Sequence, residues 1–244
     1  AILPVNSMPK ENRVALDVDH ANIEGYGPPH SYKNIFFVIF AQHYGFNPVL
    51  VGNIPENIED YKAYVTMGPT APFGEEEVAK IRSYVEKGGV LIVFDGYHAE
   101  TPKMPSNSAA NSLLKTFNMS LSGQLLGEVS YFGNTTWNYK LAYWIEAKIE
   151  AKPLNSKLMH NVNASIRMYA AVEIHGGTPI AAYNGKPVIA VKNVGEGCVL
   201  VVGDHTIFRH IVEYEPVFSY RDPNLKKLVE NILIFLGGKE QIGV

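Results

Sequence analysis

"GEEEVAKIRSYVEKGGVLIVFD", residues 74–95, decides the fold class because it joins an amphipathic helix directly to a buried strand. Three acids occupy the expected first helical turn, and Gly88 is placed to end the helix. The apolar residues of the helix recur at helical spacing: Val78, Ile81 and Val85. The strand predicted at 90–95 is continuously apolar up to Phe94, which is typical of a strand covered on both faces, as in parallel sheets.

The chain before this stretch supplies the remaining units of such a sheet. The apolar segments 13–18, 47–53 and 61–68 are predicted to be strands. A helix is predicted from Ser31, which can cap it, to Tyr44, just before a glycine. The resulting order, strand-helix-strand-strand-helix-strand, is typical of a doubly wound parallel sheet.

The C-terminal half shows a different pattern. Ser106 or Asn107 can cap a further helix, and the region from about 119 to 191 contains short alternating segments separated by turn residues, which predicts antiparallel hairpins. The last helix is predicted to start with Asp222 as its cap and Pro223 in its first turn. Its apolar face comprises Leu225, Leu228, Val229, Ile232 and Phe235.

Composition limits the possible classes of protein. The chain has 244 residues with 46% hydrophobic residues, which suits one globular domain spanning 1–244. Its net charge is -3 and it has no basic block, so nucleic acid is not an expected partner. The longest apolar run, about 35–41, is far shorter than the ~20 residues of a membrane span. A single cysteine excludes an internal disulfide or a multi-thiolate metal site.

Acids and histidines follow three of the predicted strands. Because parallel strands direct their carboxyl ends to the same edge of a sheet, these side chains are expected to share one rim, where open α/β sheets bind ligands. The candidate ligand-binding residues are Asp17, Asp19, His20 and Asn22 after the first strand, Asp95 and His98 after the fourth, and Asp204 and His205 near the end.

Three interpretations of this rim stay open. Carboxylates and imidazoles can bind zinc, manganese or iron and support hydrolysis through a metal-bound water, although no compact motif such as His-Glu-x-x-His is present. The same residues can line a polar pocket without metal. Alternatively, they cap helices and satisfy backbone groups at strand ends. Asp17 lies within its strand, so a partner for its carboxylate is expected.

One cysteine and one aromatic-rich segment are further candidates for a site. Cys198 begins an apolar strand, which predicts a packing role rather than an activated thiol, and no Gly-x-Ser-x-Gly motif occurs. The segment "YFGNTTWNYKLAYW" (131–144) concentrates aromatic residues in a predicted hairpin. Such aromatics form a binding platform or, more commonly, pack against a core or neighbouring sheet.

With these elements in place, the chain resembles the class I glutamine amidotransferase-like superfamily, in particular its non-amidotransferase branches: uncharacterised prokaryotic extracytoplasmic domains, trehalose-utilisation-type proteins and the amidotransferase-like domain of an intraflagellar transport protein. The resemblance covers nearly the whole chain and rests on the order of several motifs. These are "LDVDHAN" (16–22), 75–95, "NSLLKTFNM" (111–119), "GEGCVLVVGDHTIF" (195–208) and 224–238.

The resemblance implies an α/β, flavodoxin-like, doubly wound and mostly parallel sheet with helices on both faces and an antiparallel, hairpin-rich C-terminal extension. In true amidotransferases a cysteine nucleophile occupies the turn after the strand that here is 90–94. This chain has Asp95 and Gly96 there. Since glutamine hydrolysis requires the thiolate, glutaminase activity is not expected.

The leading hypothesis is therefore a catalytically silent binding module without a cofactor, and the alternative is a metal-assisted or carboxylate-based hydrolase using the rim. Expected partners are a small polar ligand or carbohydrate, or a protein of a membrane-associated assembly. Three Asn-x-Ser/Thr sequons, at Asn118, Asn134 and Asn163, favour an extracytoplasmic or cell-surface location, where they would carry glycans on surface loops. The start, Ala-Ile-Leu-Pro, is compatible with a removed signal peptide.

Overall fold

The computed structural model describes residues 12–20, 41–97, 106–129, 131–137, 140–163, 165–205 and 223–237. Thirteen strands lie in this part of the chain: β1 (Arg13–Asp17), β2 (Asn47–Val51), β3 (Tyr61–Met67), β4 (Val90–Phe94), β5 (Ser120–Leu125), β6 (Tyr131–Trp137), β7 (Lys140–Glu146), β8 (Ile149–Pro153), β9 (Ile166–Met168), β10 (Val172–His175), β11 (Thr178–Tyr183), β12 (Lys186–Val194) and β13 (Gly197–Val202). The described α-helices are α1 (Glu75–Glu86), α2 (Ser108–Leu114) and α3 (Pro223–Gly237).

Nine strands form one mixed sheet in the order β2-β1-β3-β4-β13-β12-β11-β8-β9. Strands β2, β1, β3, β4 and β13 are mutually parallel, whereas β12, β11, β8 and β9 continue the sheet in antiparallel pairing. The pairs β5–β10 and β6–β7 form two small antiparallel sheets. The predicted α/β class, the parallel half and the antiparallel extension are confirmed.

The register of the parallel half aligns the strand ends. Leu16 pairs with Val65, Val65 with Ile92, and Ile92 with Leu200, so one row crosses β1, β3, β4 and β13. Because these strands run in one direction, the residues that follow them all emerge at the same edge. We call this edge, where Asp17, Asp95 and Asp204 lie, the carboxyl rim.

The central strands of the sheet are buried on both faces. One face packs against α3, whose buried residues are Leu228, Val229, Ile232, Leu233 and Leu236. Buried residues of α1 and α2 pack on the other face, together with Ala15, Tyr64 and Val93. Burial on two sides explains why the parallel strands are continuous apolar runs in the sequence. Leu228, Val229 and Ile232 of the predicted apolar face are buried, and Phe235 is partly buried against the same core. Leu233 and Leu236, which were not predicted, extend the buried face.

The end of the helix predicted to stop before Gly45 is confirmed. Residues 41–43 are helical, and Gly45 follows with a φ of 82° that glycine adopts without strain. The rest of the helix predicted from Ser31, and the predicted cap Asp222, lie outside the described residues. Among the described helices, none has both the length and the apolar character that crossing a bilayer requires.

The start of α2 corrects one prediction. Asn107 occupies the cap position, as predicted, but its side chain makes no capping hydrogen bond and its φ is 65°. This left-handed backbone turns the side chain amide toward the end of β4, where it binds Asp95. Asn107 therefore joins the carboxyl rim to α2 instead of capping the helix.

Candidate functional site

The first group of polar side chains at the carboxyl rim surrounds the end of β1. We call Asp17, His20, Thr66 and Glu77 the β1 cluster. The His20 Nδ1 lies 2.9 Å from Asp17 Oδ1, and the His20 Nε2 lies 3.4 Å from Glu77 Oε2. The Thr66 hydroxyl donates to Asp17 Oδ2 at 2.8 Å. The partner expected for the buried Asp17 carboxylate is thus present, and the imidazole lies between two carboxylates.

The ionisation of the β1 cluster follows from these contacts. Burial acts to raise the pKa of Asp17, but the hydrogen bond and positive charge of His20, together with hydrogen bonds from Thr66 and the Asp19 N–H, leave that pKa lowered. Burial likewise acts to lower the pKa of His20, yet the Asp17 carboxylate, helped by Glu77, leaves it raised. Both shifts favour an imidazolium held by carboxylates.

Neighbouring segments hold the imidazole in place. Its ring stacks on Phe73 with centroids 3.6 Å apart, and the His20 carbonyl accepts hydrogen bonds from the backbone N–H groups of Thr70 and Ala71. Glu77 also accepts from the Gly74 N–H at 2.7 Å, which fixes it at the start of α1. The β1 cluster therefore ties the turn after β1 to the loop between β3 and α1.

The second group lies at the ends of β4 and β13. We call Asp95, Gly96, Asn107, Asp204 and His205 the β4 cluster. Asn107 Nδ2 donates to Asp95 Oδ2 at 2.7 Å and to the Gly96 carbonyl at 2.8 Å. The Gly96 N–H donates to His205 Nδ1 at 3.1 Å, so this ring nitrogen carries no proton. Gly96, the second residue after β4, is therefore held through both its N–H group and its carbonyl.

Asp204 connects the β4 cluster to the antiparallel half. Its Oδ2 accepts from the backbone N–H groups of Tyr169 and Ala170 at 2.9 and 3.2 Å. The Ala170 carbonyl in turn accepts from the Tyr97 N–H at 2.7 Å. The segment between β9 and β10 therefore crosses the ends of β4 and β13, and Asp204 is the acceptor that holds it there.

The two clusters share an edge but are separate. Register places Asp17 two strands away from β4 and two residues short of Asp95, which corresponds to about 12 Å between the Cα atoms at ordinary strand spacing. Asp95 and His205, by contrast, are linked by hydrogen bonds through Asn107 and Gly96, and Asp204 directly precedes His205 in the chain. Asp19 is exposed, and only its backbone N–H joins the β1 cluster, by donating to Asp17. Asn22 and His98 lie outside the described residues.

Sequence reasoning missed three members of these clusters. Thr66 lies within a mostly apolar strand, where a buried hydroxyl group requires a hydrogen-bond partner. Glu77 was assigned only to the first turn of its helix. Asn107 was assigned to a helix cap. Their partners are 49, 57 and 12 residues away, so no local pattern reveals them.

Neither Asp95 nor Gly96, the two residues that follow β4, has the positive φ of a strained strand-to-helix turn. The non-glycine residues with positive φ in the described chain are four asparagines. Residues 98–105, which complete the connection from β4 to α2, lie outside the described residues. Cys198 is buried at the start of β13, as predicted, and burial raises the pKa of its thiol to about 12. That thiol is not activated for attack.

The geometry also bears on the metal interpretation. Among the described residues, no group of three or more histidine, cysteine, aspartate or glutamate side chains is arranged to hold a metal ion. The carboxylates of Asp17 and Asp204 accept hydrogen bonds from protein donors instead. A donor set for metal-assisted hydrolysis is therefore not assembled in this part of the chain.

Two of the predicted glycosylation asparagines are exposed, and the third lies in the aromatic segment. Asn118 and Asn163 are exposed, and Asn118 lies in a left-handed turn with a φ of 52°. Asn134 lies in β6, in the predicted aromatic hairpin, which is present as the separate β6–β7 sheet. Two of the three sequons are thus on the surface, as glycan attachment requires.

Comparison with known proteins gives structural matches only. No family model and no curated protein matches the sequence. The structure is similar to a mmIFT52 N-terminal domain, with a TM-score of 0.64 and 15% identity over 95% of this chain and all of that one. It is also similar to a putative ThuA-like protein from Bacteroides uniformis, with a TM-score of 0.51 and 13% identity over 94% of this chain and 92% of that one.

A third similarity involves part of a larger enzyme. The β-galactosidase of the Antarctic haloarchaeon Halorubrum lacusprofundi matches with a TM-score of 0.51 and 15% identity, over 92% of this chain but only 30% of the enzyme. Identities this low show a shared fold and no shared activity. The chain has the α/β fold of the mmIFT52 N-terminal domain and of ThuA-like proteins.

Proposed function

We propose that this chain is a catalytically silent, amidotransferase-like binding module that recognises its partner at the carboxyl rim. One observation carries the proposal: the acids and histidines of both clusters are bound to other parts of the protein. Asp17 is held by His20 and Thr66, and Asp95 is held by Asn107. Side chains engaged in this way shape and support a surface.

Catalysis would need a different arrangement. A general base must reach the proton it removes, and a nucleophile must be exposed and activated. The His20 imidazole is instead held between two carboxylates, and His205 Nδ1 accepts from the Gly96 backbone. Both rings thus serve as links between segments, which supports a binding role over the hydrolase alternative.

Residues at the rim that are accessible determine what it can bind. Asp19 is exposed beside the β1 cluster, and the Glu77 side chain is 31% exposed. Carboxylate oxygens bind hydroxyl-rich or cationic partners, because they accept hydrogen bonds and carry negative charge. We propose a small polar ligand such as a carbohydrate, or a protein of a membrane-associated assembly, as the partner.

The proposal includes an extracytoplasmic or cell-surface location. The exposed sequons at Asn118 and Asn163 support it, because glycans attach only to accessible asparagines in secreted chains. Mass spectrometry of protein from its native source checks this. A glycan on either residue supports the location, and a cytoplasmic fraction that contains all of the unmodified protein contradicts it.

Binding is tested with the purified chain and a panel of oligosaccharides, using thermal shift followed by calorimetry. Asp19→Lys reverses an exposed charge at the rim without removing a side-chain hydrogen bond of either cluster, and Glu196→Lys makes the same change in the exposed turn between β12 and β13, at the opposite edge. A ligand of the rim should lose affinity with Asp19→Lys only.

The hydrolase alternative is tested on the same samples. Elemental analysis of protein purified without added metal, and product analysis after incubation with each sugar, should show neither stoichiometric metal nor cleavage. Cleavage that disappears in Asp19→Ala or His20→Gln would overturn the silent module and establish a hydrolase. Equal loss of binding in both charge-reversal variants would remove the rim from the proposal.

A further inference from the structure

Two polar residues at the opposite edge of the sheet belong to neither cluster. Arg13 is the first residue of β1 and Asn47 is the first residue of β2. The two strands are parallel, and Arg13 pairs directly with Asn47 in their register. Since β1 rises about 3.3 Å per residue, this pair lies roughly 13 Å from Asp17 and the carboxyl rim.

The two side chains point to the same face of the sheet. Residues alternate between faces along a strand, so Arg13 shares a face with Ala15, and Asn47 shares one with Val49 and Val51. Ala15 and Val51 are both in the core that packs beneath α1, and Val49 lies against it. The Arg13 and Asn47 side chains therefore leave neighbouring positions on the helix-covered face of the sheet.

Both groups have buried donors without an acceptor. Within the described chain, Arg13 Nε and Asn47 Nδ2 are shielded from solvent and make no hydrogen bond. Asn47 is only 7% exposed. Leaving a buried donor unpaired costs about 1–3 kcal/mol, more when the donor is charged. Two such unpaired donors on adjacent strands are unusual in a folded protein unless an acceptor binds to them.

The nearby acids do not supply that acceptor. Glu59 and Asp60 immediately precede β3, the strand that pairs with the other side of β1 at Arg13. Glu59 lies 3.8 Å from Lys87, and Asp60 accepts a hydrogen bond from Asn57 at 3.0 Å. Among the described ion pairs, Arg13 takes part in none.

We propose that Arg13 and Asn47 form a carboxylate-binding site at the amino ends of β1 and β2. One positive charge matches one carboxylate. Guanidinium N–H groups bind its oxygens in a planar arrangement, and the amide N–H is a further donor on the same side. The carboxylate comes either from a small organic acid or from the C-terminus of a peptide. This site is independent of the carboxyl rim.

The direct test is NMR of protein labelled with nitrogen-15, titrated with sodium acetate or with sodium chloride at equal ionic strength. The Arg13 Nε–H and Asn47 Nδ2–H signals should move and saturate with acetate at up to about 100 mM, the range of a weak site, and should not follow chloride. Arg82, which is exposed and already bonded to Glu86, is the internal control and should not move.

Variants and a peptide distinguish the outcomes. Arg13→Gln and Asn47→Ala should each weaken acetate binding at least about tenfold, a change of about 1.4 kcal/mol, whereas Arg82→Gln should leave it unchanged. Tighter binding of N-acetyl-Ala-Ala than of acetate, with none by its amide, identifies a peptide terminus as the source. Equal binding identifies a small acid. Signals in the wild-type protein that stay still, or that move equally with chloride, overturn the proposal.

Discussion

Asn107 Nδ2 donates a 2.7 Å hydrogen bond to Asp95 Oδ2 and so connects the start of α2 to the end of β4. The replacement Asn107→Asp removes both donors of this amide and places a second carboxylate beside Asp95. We expect the free energy of unfolding to fall by at least about 2 kcal/mol, because a buried acceptor loses its donor and meets a like charge. Urea denaturation measures the change.

Asn118→Asp provides the matched control for that variant. Asn118 has the same left-handed backbone, with a φ of 52°, but is exposed. Its replacement should change stability by no more than about 0.5 kcal/mol. Similar losses in the two variants would mean that the left-handed backbone, and not the contact with Asp95, is responsible.

Gly96→Ala tests how closely the segment between β9 and β10 approaches the β4 cluster. A Cβ atom at Gly96 would overlap the Ala170 carbonyl oxygen and lie 3.0 Å from His205 Nδ1. We expect a loss of about 1–3 kcal/mol, as for other overpacked sites. Gly52→Ala, where a Cβ meets nothing within 4 Å, should be nearly neutral in the same thermal unfolding assay. A neutral Gly96→Ala would contradict the close approach.

Thr66→Val tests the buried hydroxyl of the β1 cluster. Valine keeps the shape of the side chain but cannot donate to Asp17 Oδ2, so the carboxylate loses one buried hydrogen bond. Stability should decrease by about 1–2 kcal/mol in chemical denaturation. Thr178→Val, at a half-buried position that starts β11, is the control and should cost less. The hydrogen bond would be unimportant if both variants behaved alike.

The stability of the protein should depend on pH through His20. Its folded-state pKa is raised above the ordinary 6.5, so its stabilising contribution is complete below pH 6.5 and is lost as the pH rises through the folded pKa. The pKa of Asp17 is lowered below its ordinary 3.8, so its contribution is present above pH 3.8 and is lost as the pH falls through the folded pKa.

Denaturation curves between pH 5 and 9, about the range in which histidine titrates, measure the His20 contribution. The wild-type free energy of unfolding should decline from pH 6.5 upward, and His20→Gln should remove that decline. His175→Gln, at an exposed position at the end of β10, should retain it. A decline that survives in His20→Gln would assign it to another group.

The thiol of Cys198 should be inert in the folded protein. Burial raises its pKa to about 12, so little thiolate exists at pH 8 and reagents have no access. Alkylation by iodoacetamide should be at least about a thousandfold slower in native protein than in urea, where the pKa returns to that of a free thiol. Rapid alkylation of the native protein would reveal an accessible thiolate and would reopen a nucleophilic role.

Much of the fold could be predicted because apolar periodicity reports which faces of an element are buried. The segment 74–95 shows both signals, and the observed α1 and β4 lie within it. The continuous apolar strands predicted a sheet covered on both sides, and the helices do lie on both faces. Spacing alone did not predict the whole buried face of α3: Leu233 and Leu236 are buried in addition to the predicted residues, since packing partners also decide burial.

The sequence by itself determined the elements, their class and the positions of Asp17, Asp95 and Asp204 at strand ends, because these depend on neighbours along the chain. Only the tertiary structure decided which groups these acids meet. Gly96 and His205 are 109 residues apart, and Thr66 and Asp17 are 49 apart, yet each pair is hydrogen-bonded. Such contacts arise when strands and loops pack across a sheet, and hydrogen bonds act over about 3 Å of space, however far apart their partners are in sequence.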